Sequence, residues 1–196
     1  MPDVLTPPAP RVNPVPHQSE PPFEGEDATL PTARESLLRA ARDALERRPW
    51  PMVRMVEIAT DAGVSRQTLY NEFGDKAGLG SALAERQVTA LLDEFGSFCA
   101  DEHRTPAAIL AGTTDWIVRA AHADVLVHGA LVGCPGARLP RSAWGPGALI
   151  AELRDRAVRA LARRTPPAEA AGLPHRCETA IRLAVSHLVA PAPGGR

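Results

Sequence analysis

Arg66, Gln67, Thr68, Tyr70 and Asn71 fall within a single short run of the chain, broken only by Leu69. Every one of the five can donate or accept hydrogen bonds, and Arg66 adds a permanent cation. On a helix, Leu69 and Phe73 turn to one side at i, i+4 spacing, which leaves the five polar side chains on the other. Such an exposed face has the hydrogen-bonding reach that a recognition helix needs in a DNA major groove.

The residues that would position this face extend from Met55 to Phe73, MVEIATDAGVSRQTLYNEF. The pattern predicts a helix-turn-helix over about 54–73. Ile58 and Ala62 face inward from the first helix, and Ala59 is small where the second helix must cross close by. Gly63 sits at a sharp turn that needs positive φ. Val64 fills the corner, and Ser65 is placed to cap the second helix with its hydroxyl. The competing reading is an ordinary helical hairpin with a polar outer face.

Gly74-Asp75-Lys76 follows, then a new helix. Asp75 is the expected N-cap. Lys76 at the helix start is slightly disfavoured by the helix dipole. A phosphate close by would account for it, since helix N-termini and cations both attract anions. The alternative is a solvated surface lysine. It is also the only lysine in the chain, against 21 arginines.

The run AGVSRQTLYNEFGDKAGL resembles the DNA-binding signature of the TetR family of bacterial transcriptional regulators. The resemblance is strong over Thr32 to about Leu83 and looser beyond. It implies an all-α homodimer: an N-terminal three-helix DNA-binding head with a helix-turn-helix, and a C-terminal helical domain for ligand binding and dimerisation. It further implies that Arg66 and Gln67 face bases, and that Ser65, Thr68, Tyr70 and Lys76 meet phosphate or sugar. One departure stands at the start of the motif. Family members often carry a threonine pair there, whereas here Val53-Arg54 follows Pro49-Trp50-Pro51-Met52. Arg54 is the candidate to replace the hydroxyl contact.

Composition sets the limits. The 196 residues are 44% hydrophobic but only 4% aromatic, so the core must be built mainly from Ala, Leu and Val. That favours close-packed helices. Net charge is -1. Residues 31 to 76 hold eight basic side chains against seven acidic ones. A positive face must therefore come from arrangement and not from bulk charge. Cys99, Cys134 and Cys177 lie far apart with no CxxC pair, which argues against a structural zinc site. Reduced thiols are expected, with no cofactor. No apolar run has membrane-spanning length, and the proline-rich, mildly acidic N-terminus is unlike an export signal. The expected location is the cytoplasm, with no membrane partner.

Three segments follow: a disordered proline-rich arm over 1–30, a DNA-binding domain over 31–78, and a helical effector-binding and dimerisation domain over 79–196. The arm carries five acids against Arg11, which argues against a role in the minor groove. Thr32 and Glu35 form a capping box for the first helix. A long helix is predicted from near Asp75 to about Ala100, with Gly78, Gly80 and Gly96 either tolerated by close packing or making a bendable connector. Thr105-Pro106 starts the next helix, which runs to about Ala121. Further helices are expected over Val125–Val132, 147–164 and about His175–Val189. The last two are expected to pair across a two-fold axis.

An effector pocket would draw on Phe95, Phe98, Trp116, His128, Leu131 and Trp144. These are equally readable as ordinary core residues. Few polar residues lie in this region, so an apolar or amphipathic small molecule is expected. The function these features imply is a ligand-responsive regulator, most often a repressor, that binds double-stranded palindromic operator DNA as a homodimer and is released by its effector. The alternative is a helical dimeric binding module with a vestigial head. An enzyme ranks last, because no catalytic triad, carboxylate pair, metal or phosphate-loop arrangement is visible.

Overall fold

The computed structural model describes residues 31–133 and 138–190. The N-terminal arm, Cys134 and the last six residues of the chain fall outside that range. Nine α-helices occur among the described residues, with no strand: α1 (Ala33–Arg47), α2 (Met55–Asp61), α3 (Arg66–Phe73), α4 (Lys76–Ala100), α5 (Pro106–Ala123), α6 (Val125–Val132), α7 (Pro146–Leu161), α8 (Pro167–Ala170) and α9 (Leu173–Val189). Two 3-10 turns, Trp50–Met52 and Ala162–Arg164, join them. The expected helix order is present. The four-residue α8, set between Pro166 and Gly172, has no periodicity to announce it.

The first four helices build the head. The capping box at the start of α1 is complete: the Glu35 N–H donates to Thr32 Oγ1 at 3.2 Å, and the Thr32 N–H donates to the Glu35 carboxylate at 2.8 Å. Helices as short as α2 and α3 do not persist alone in water, so packing must hold them. Ile58 and Leu69 are fully buried, together with Leu37 and Ala41 from α1 and Leu79 and Leu83 from α4. Burying a leucine or isoleucine side chain contributes about 1.5–3 kcal/mol, which is how a short helix is kept. Gly63 turns the chain at φ +68°, and Val64 N–H closes the turn on the Ala59 carbonyl at 3.0 Å.

A second core holds α4 beyond Val88 together with α5, α6, α7 and α9, and is made largely of Leu, Ile, Val and Ala. The long α4 contributes to both cores, so it connects the reading helices with the C-terminal bundle as one rod. Leu126 of α6 crosses to the head core. Two further contacts span the same seam. Trp50 N–H donates to the Arg138 carbonyl at 2.8 Å. Arg42 of α1 pairs with Asp124, which also caps α6 by accepting from the Leu126 N–H at 2.7 Å.

The three glycines of α4 divide by what surrounds them. A Cβ at Gly78 would stand 2.1 Å from the Phe73 carbonyl oxygen, and one at Gly80 would stand 2.7 Å from Pro140 Cβ and 2.9 Å from the Trp50 ring. Both are close-packing glycines. At Gly96 the nearest atom would be 3.8 Å away, at the tip of Arg156. We therefore expect Gly80→Ala to destabilise the fold by about 1–3 kcal/mol through overpacking, and Gly96→Ala to stabilise it by up to about 1 kcal/mol through helix propensity. Urea unfolding of the two variants checks this. Equal effects of the two substitutions would refute the division.

Candidate nucleic-acid interface

Helix α3 presents its polar residues as the spacing requires. Leu69 and Phe73 are buried, while Arg66, Gln67, Tyr70 and Asn71 are exposed and Thr68 is half-buried. Ser65 is the N-cap, and its hydroxyl accepts from the Thr68 N–H at 3.0 Å and lies 2.8 Å from the Thr68 hydroxyl. The two hydroxyls thus form a local pair at the helix start. Gln67 Nε2 donates to Asn71 Oδ1 at 2.8 Å, one turn along. That bond orients both amides and still leaves the Gln67 carbonyl oxygen and the Asn71 NH2 with capacity for further bonds. Tyr70 is 47% exposed, a large aromatic standing in solvent beside them.

Arg54 occupies the N-cap position of α2, exposed and making no capping bond. Met52 and Val56, either side of it in sequence, are exposed apolar side chains at 66% and 39%. The sequence reading passed over both. Their signal is a break of phase: Met52 lies in a turn after Pro51, and Val56 is off the inward Ile58–Ala59 face.

The head's near-neutral charge resolves into an arrangement. Arginines of α1 neutralise acids of the next two helices: Arg34 with Glu72 at 3.5 Å, Arg47 with Asp61 at 3.4 Å, and Arg48 with Glu57. Exposed pairs of this kind add little stability, but they cancel the negative charge on α2 and α3. Arg39, Arg54 and Arg66 form no ion pair among the described residues, and of these Arg54 and Arg66 lie at the start of α2 and on α3. Lys76, the first residue of α4, is partly buried. Its ammonium donates to the Pro51 carbonyl at 2.9 Å and lies 5.6 Å from the centre of the Trp50 ring. Burial holds it below the ordinary lysine value.

Residues 37–83 match the model of bacterial regulatory proteins of the tetR family. The likeness to that family in this comparison is confined to the head. A curated relative, the HTH-type transcriptional regulator AlkX of Mycobacterium tuberculosis, is 37% identical over 108 residues, which cover 55% of this chain and 51% of the relative. The chain thus spans about half the length of that relative. Among solved structures, the TetR family repressor AlkX from Dietzia sp. strain DQ12-45-1b superposes with a TM-score of 0.52 at 24% identity, over 83% of this chain and 86% of that one. A tetR-family transcriptional regulator from Streptomyces coelicolor gives a TM-score of 0.51 at 21% identity, over 82% and 74% of the two chains. These two likenesses are of fold, and they take in the C-terminal helices as well as the head.

Of the six residues expected to line an effector pocket, Phe95 and Leu131 lie in the C-terminal core, with Phe98, Trp116 and Trp144 packed against it. Phe95, Phe98 and Trp116 pack on one another, with ring centroids 5.2 Å (Phe95–Trp116), 5.6 Å (Phe98–Trp116) and 6.1 Å (Phe95–Phe98) apart. Phe95 and Leu131 have no exposed surface, and His128 is half-buried on α6. Trp144 lines a cleft of about 780 Å³. The cleft lies between Ala84 of α4, Leu126 and Ala130 of α6, and the segment Leu139–Pro146. Sequence reading named only Trp144 of its walls, since the others are brought together from α4, α6 and the segment before α7 by the fold. Cys99 and Cys177 are buried, and burial pushes the Cys99 thiol up to about 12, so neither is suited to redox sensing.

Asp124 anchors the cleft's helix to the head. Asp124→Ala removes the α6 cap and leaves the partly buried Arg42 without that partner, and we expect a loss of about 2 kcal/mol. Asp124→Asn keeps a capping oxygen and should lose less than half of that. Chemical denaturation of both variants tests the order, which an equal loss would contradict.

Proposed function

We propose that the protein is a homodimeric transcriptional repressor that reads a palindromic operator through α3 and is released by a small, largely apolar effector. The observation that carries this reading is the exposed set on α3 and at the start of α2: Arg54, Arg66, Gln67, Tyr70 and Asn71, with the surrounding acids already neutralised. An arginine reaching a guanine edge and an amide reaching an adenine edge are what such a face offers. Ser65 and Thr68, at the helix start, lie where phosphate oxygens pass when a recognition helix enters the groove N-terminus first.

Two observations support the remainder. Leu183 and Val189 of α9 are 48% and 62% exposed, an apolar cost that a second copy would remove. Two heads held about 34 Å apart would meet successive major grooves. For the effector, the 780 Å³ cleft has the volume of a small-molecule site. Leu126, Leu139, Pro140 and Trp144 give it apolar walls, with Arg141 and Ser142 as polar groups. An effector there would act by favouring one arrangement of the α6–head seam over another.

Selection of genomic DNA fragments by the full chain, followed by titration of the enriched site, tests the reading. Arg66→Ala should weaken binding about tenfold or more and relax preference at one position per half-site, and Tyr70→Phe should weaken it less. The reading fails if neither substitution moves affinity while helicity is unchanged, or if association is weak and independent of salt. Dimerisation has its own check. Leu183→Glu should shift the sedimenting species to the mass of one chain, and a monomeric wild type would remove the two-fold reading.

A further inference from the structure

Gln67 and Asn71 stand one turn apart on the outward face of α3, and both are exposed. Gln67 Nε2 donates to Asn71 Oδ1 at 2.8 Å. Helical side chains lean toward the N-terminus, so Asn71 reaches back over the turn that holds Gln67. The order of donor and acceptor agrees with the helix, because it sets the Asn71 carbonyl oxygen toward the positive end of the α3 dipole. Neighbouring groups that could compete are already engaged. The Ser65 and Thr68 hydroxyls lie 2.8 Å apart and bond each other, and the Glu72 carboxylate pairs with Arg34. Among the described residues Asn71 is the one hydrogen-bond partner of the Gln67 side chain.

That bond decides what Gln67 has left to offer. A primary amide carries two N–H donors and one carbonyl acceptor. Free to turn over, it can present both donors to guanine, whose major-groove edge accepts at N7 and O6. It can equally present one donor and one acceptor to adenine. With one N–H given to Asn71, a single N–H and the carbonyl oxygen remain. They complement adenine, whose N6 amine donates and whose N7 accepts. Asn71 lies a turn further from the N-terminal end of α3, the end that meets base edges when a recognition helix enters the groove. Its place suits support of Gln67 better than reading of its own.

We propose that Asn71 is a positioning residue for base selection: by accepting from Gln67 it fixes that amide as a donor–acceptor pair, so that the head selects adenine over guanine at one position of each half-site. This rests on the DNA-reading function proposed above and names the base that one of its side chains takes.

The full chain is used to select sites from genomic DNA, and binding is titrated against the enriched site with each of the four bases at every position. Gln67→Ala identifies the position that Gln67 reads, as the one whose preference it flattens. The wild type should favour adenine over guanine there by about tenfold or more. Asn71→Leu keeps the branched shape and removes the acceptor. It should cut that ratio to about threefold or less, with preferences at the other positions unchanged. Asn71→Asp keeps an acceptor and adds a negative charge. It should bind every site more weakly and retain the adenine preference. The proposal is overturned if Gln67→Ala flattens no position, or if the wild type prefers guanine at the position it does flatten. It is overturned equally if Asn71→Leu weakens binding to all four bases alike with the preference intact, as loss of a backbone contact would, or if Asn71→Asp loses the preference as Asn71→Leu does. Selection of no DNA by the wild type takes down the functional reading itself, an outcome separate from any result on the variants.

Discussion

The head depends on the burial of Trp50. Its ring is set so close to α4 that only glycine fits at position 80, and Pro140 lies on the same glycine from the other side. Three parts of the chain that are distant in sequence therefore share one contact: the turn before α2, the first turns of α4, and the segment between α6 and α7. The Trp50 N–H makes the union polar as well, through the Arg138 carbonyl. A buried tryptophan is among the largest apolar contributions a small head can hold. Here it is used at a seam and not at the centre of the helix-turn-helix. Helices α2 and α3 are too short to hold a position alone, so their placement follows from what fixes the turn that precedes them.

This arrangement gives the chain a physical route between its two cores. Interiors are close-packed, and a change on one side of a tight contact cannot be absorbed by the other. The cleft bounded by Leu139, Pro140 and Trp144 adjoins that contact. Leu126 enters the head core from the helix that forms another wall, and Asp124 binds the same helix to Arg42. A molecule occupying the cleft would meet residues that are already part of the head's support. No long chain of intermediates is needed, because the walls of the cleft and the buttress of the reading helices share residues.

The motif from Ile58 to Phe73 was legible in the sequence because each position obeys a local rule: an apolar residue at the inward period, a glycine at positive φ, a hydroxyl at the cap. The helix order was legible for the same reason, with caps at Thr32, Ser65, Asp75 and Thr105 all realised. The effector region was not. Phe95, Phe98 and Trp116 have the composition of a ligand box, but whether aromatic side chains enclose a space or fill it depends on the angle between α4 and α5, and no spacing rule contains that angle. The cleft's walls come from α4, α6 and the segment Leu139–Pro146, parts of the chain that no local spacing rule brings together. Lys76 shows the same limit on a smaller scale. The sequence identified it as a cation needing an anionic partner, and the partner found is a carbonyl 25 residues earlier, brought near by the fold.

The charge pattern adds a last step. Under the proposed DNA reading, a head with as many acids as this one must keep those acids from facing a polyanion. The solution is carried by α1, which does not itself form the reading face. Arg34, Arg47 and Arg48 reach from its two ends to Glu72, Asp61 and Glu57. As stabilising pairs they are weak. Their consequence is electrostatic: the negative side chains of α2 and α3 are cancelled from behind, and Arg54 and Arg66 remain in front. On the proposed reading, affinity would come from few contacts, each sensitive to geometry, so the turn at Trp50–Met52 would matter more than in a head coated with lysine. A protein that relies on bulk positive charge tolerates a loose start to α2. One that relied on Arg54 and the α3 side chains would require that start to be held, and the buried Trp50 and Val53, the glycine at position 80 and the backbone bond from the Val53 N–H to the Trp50 carbonyl hold it.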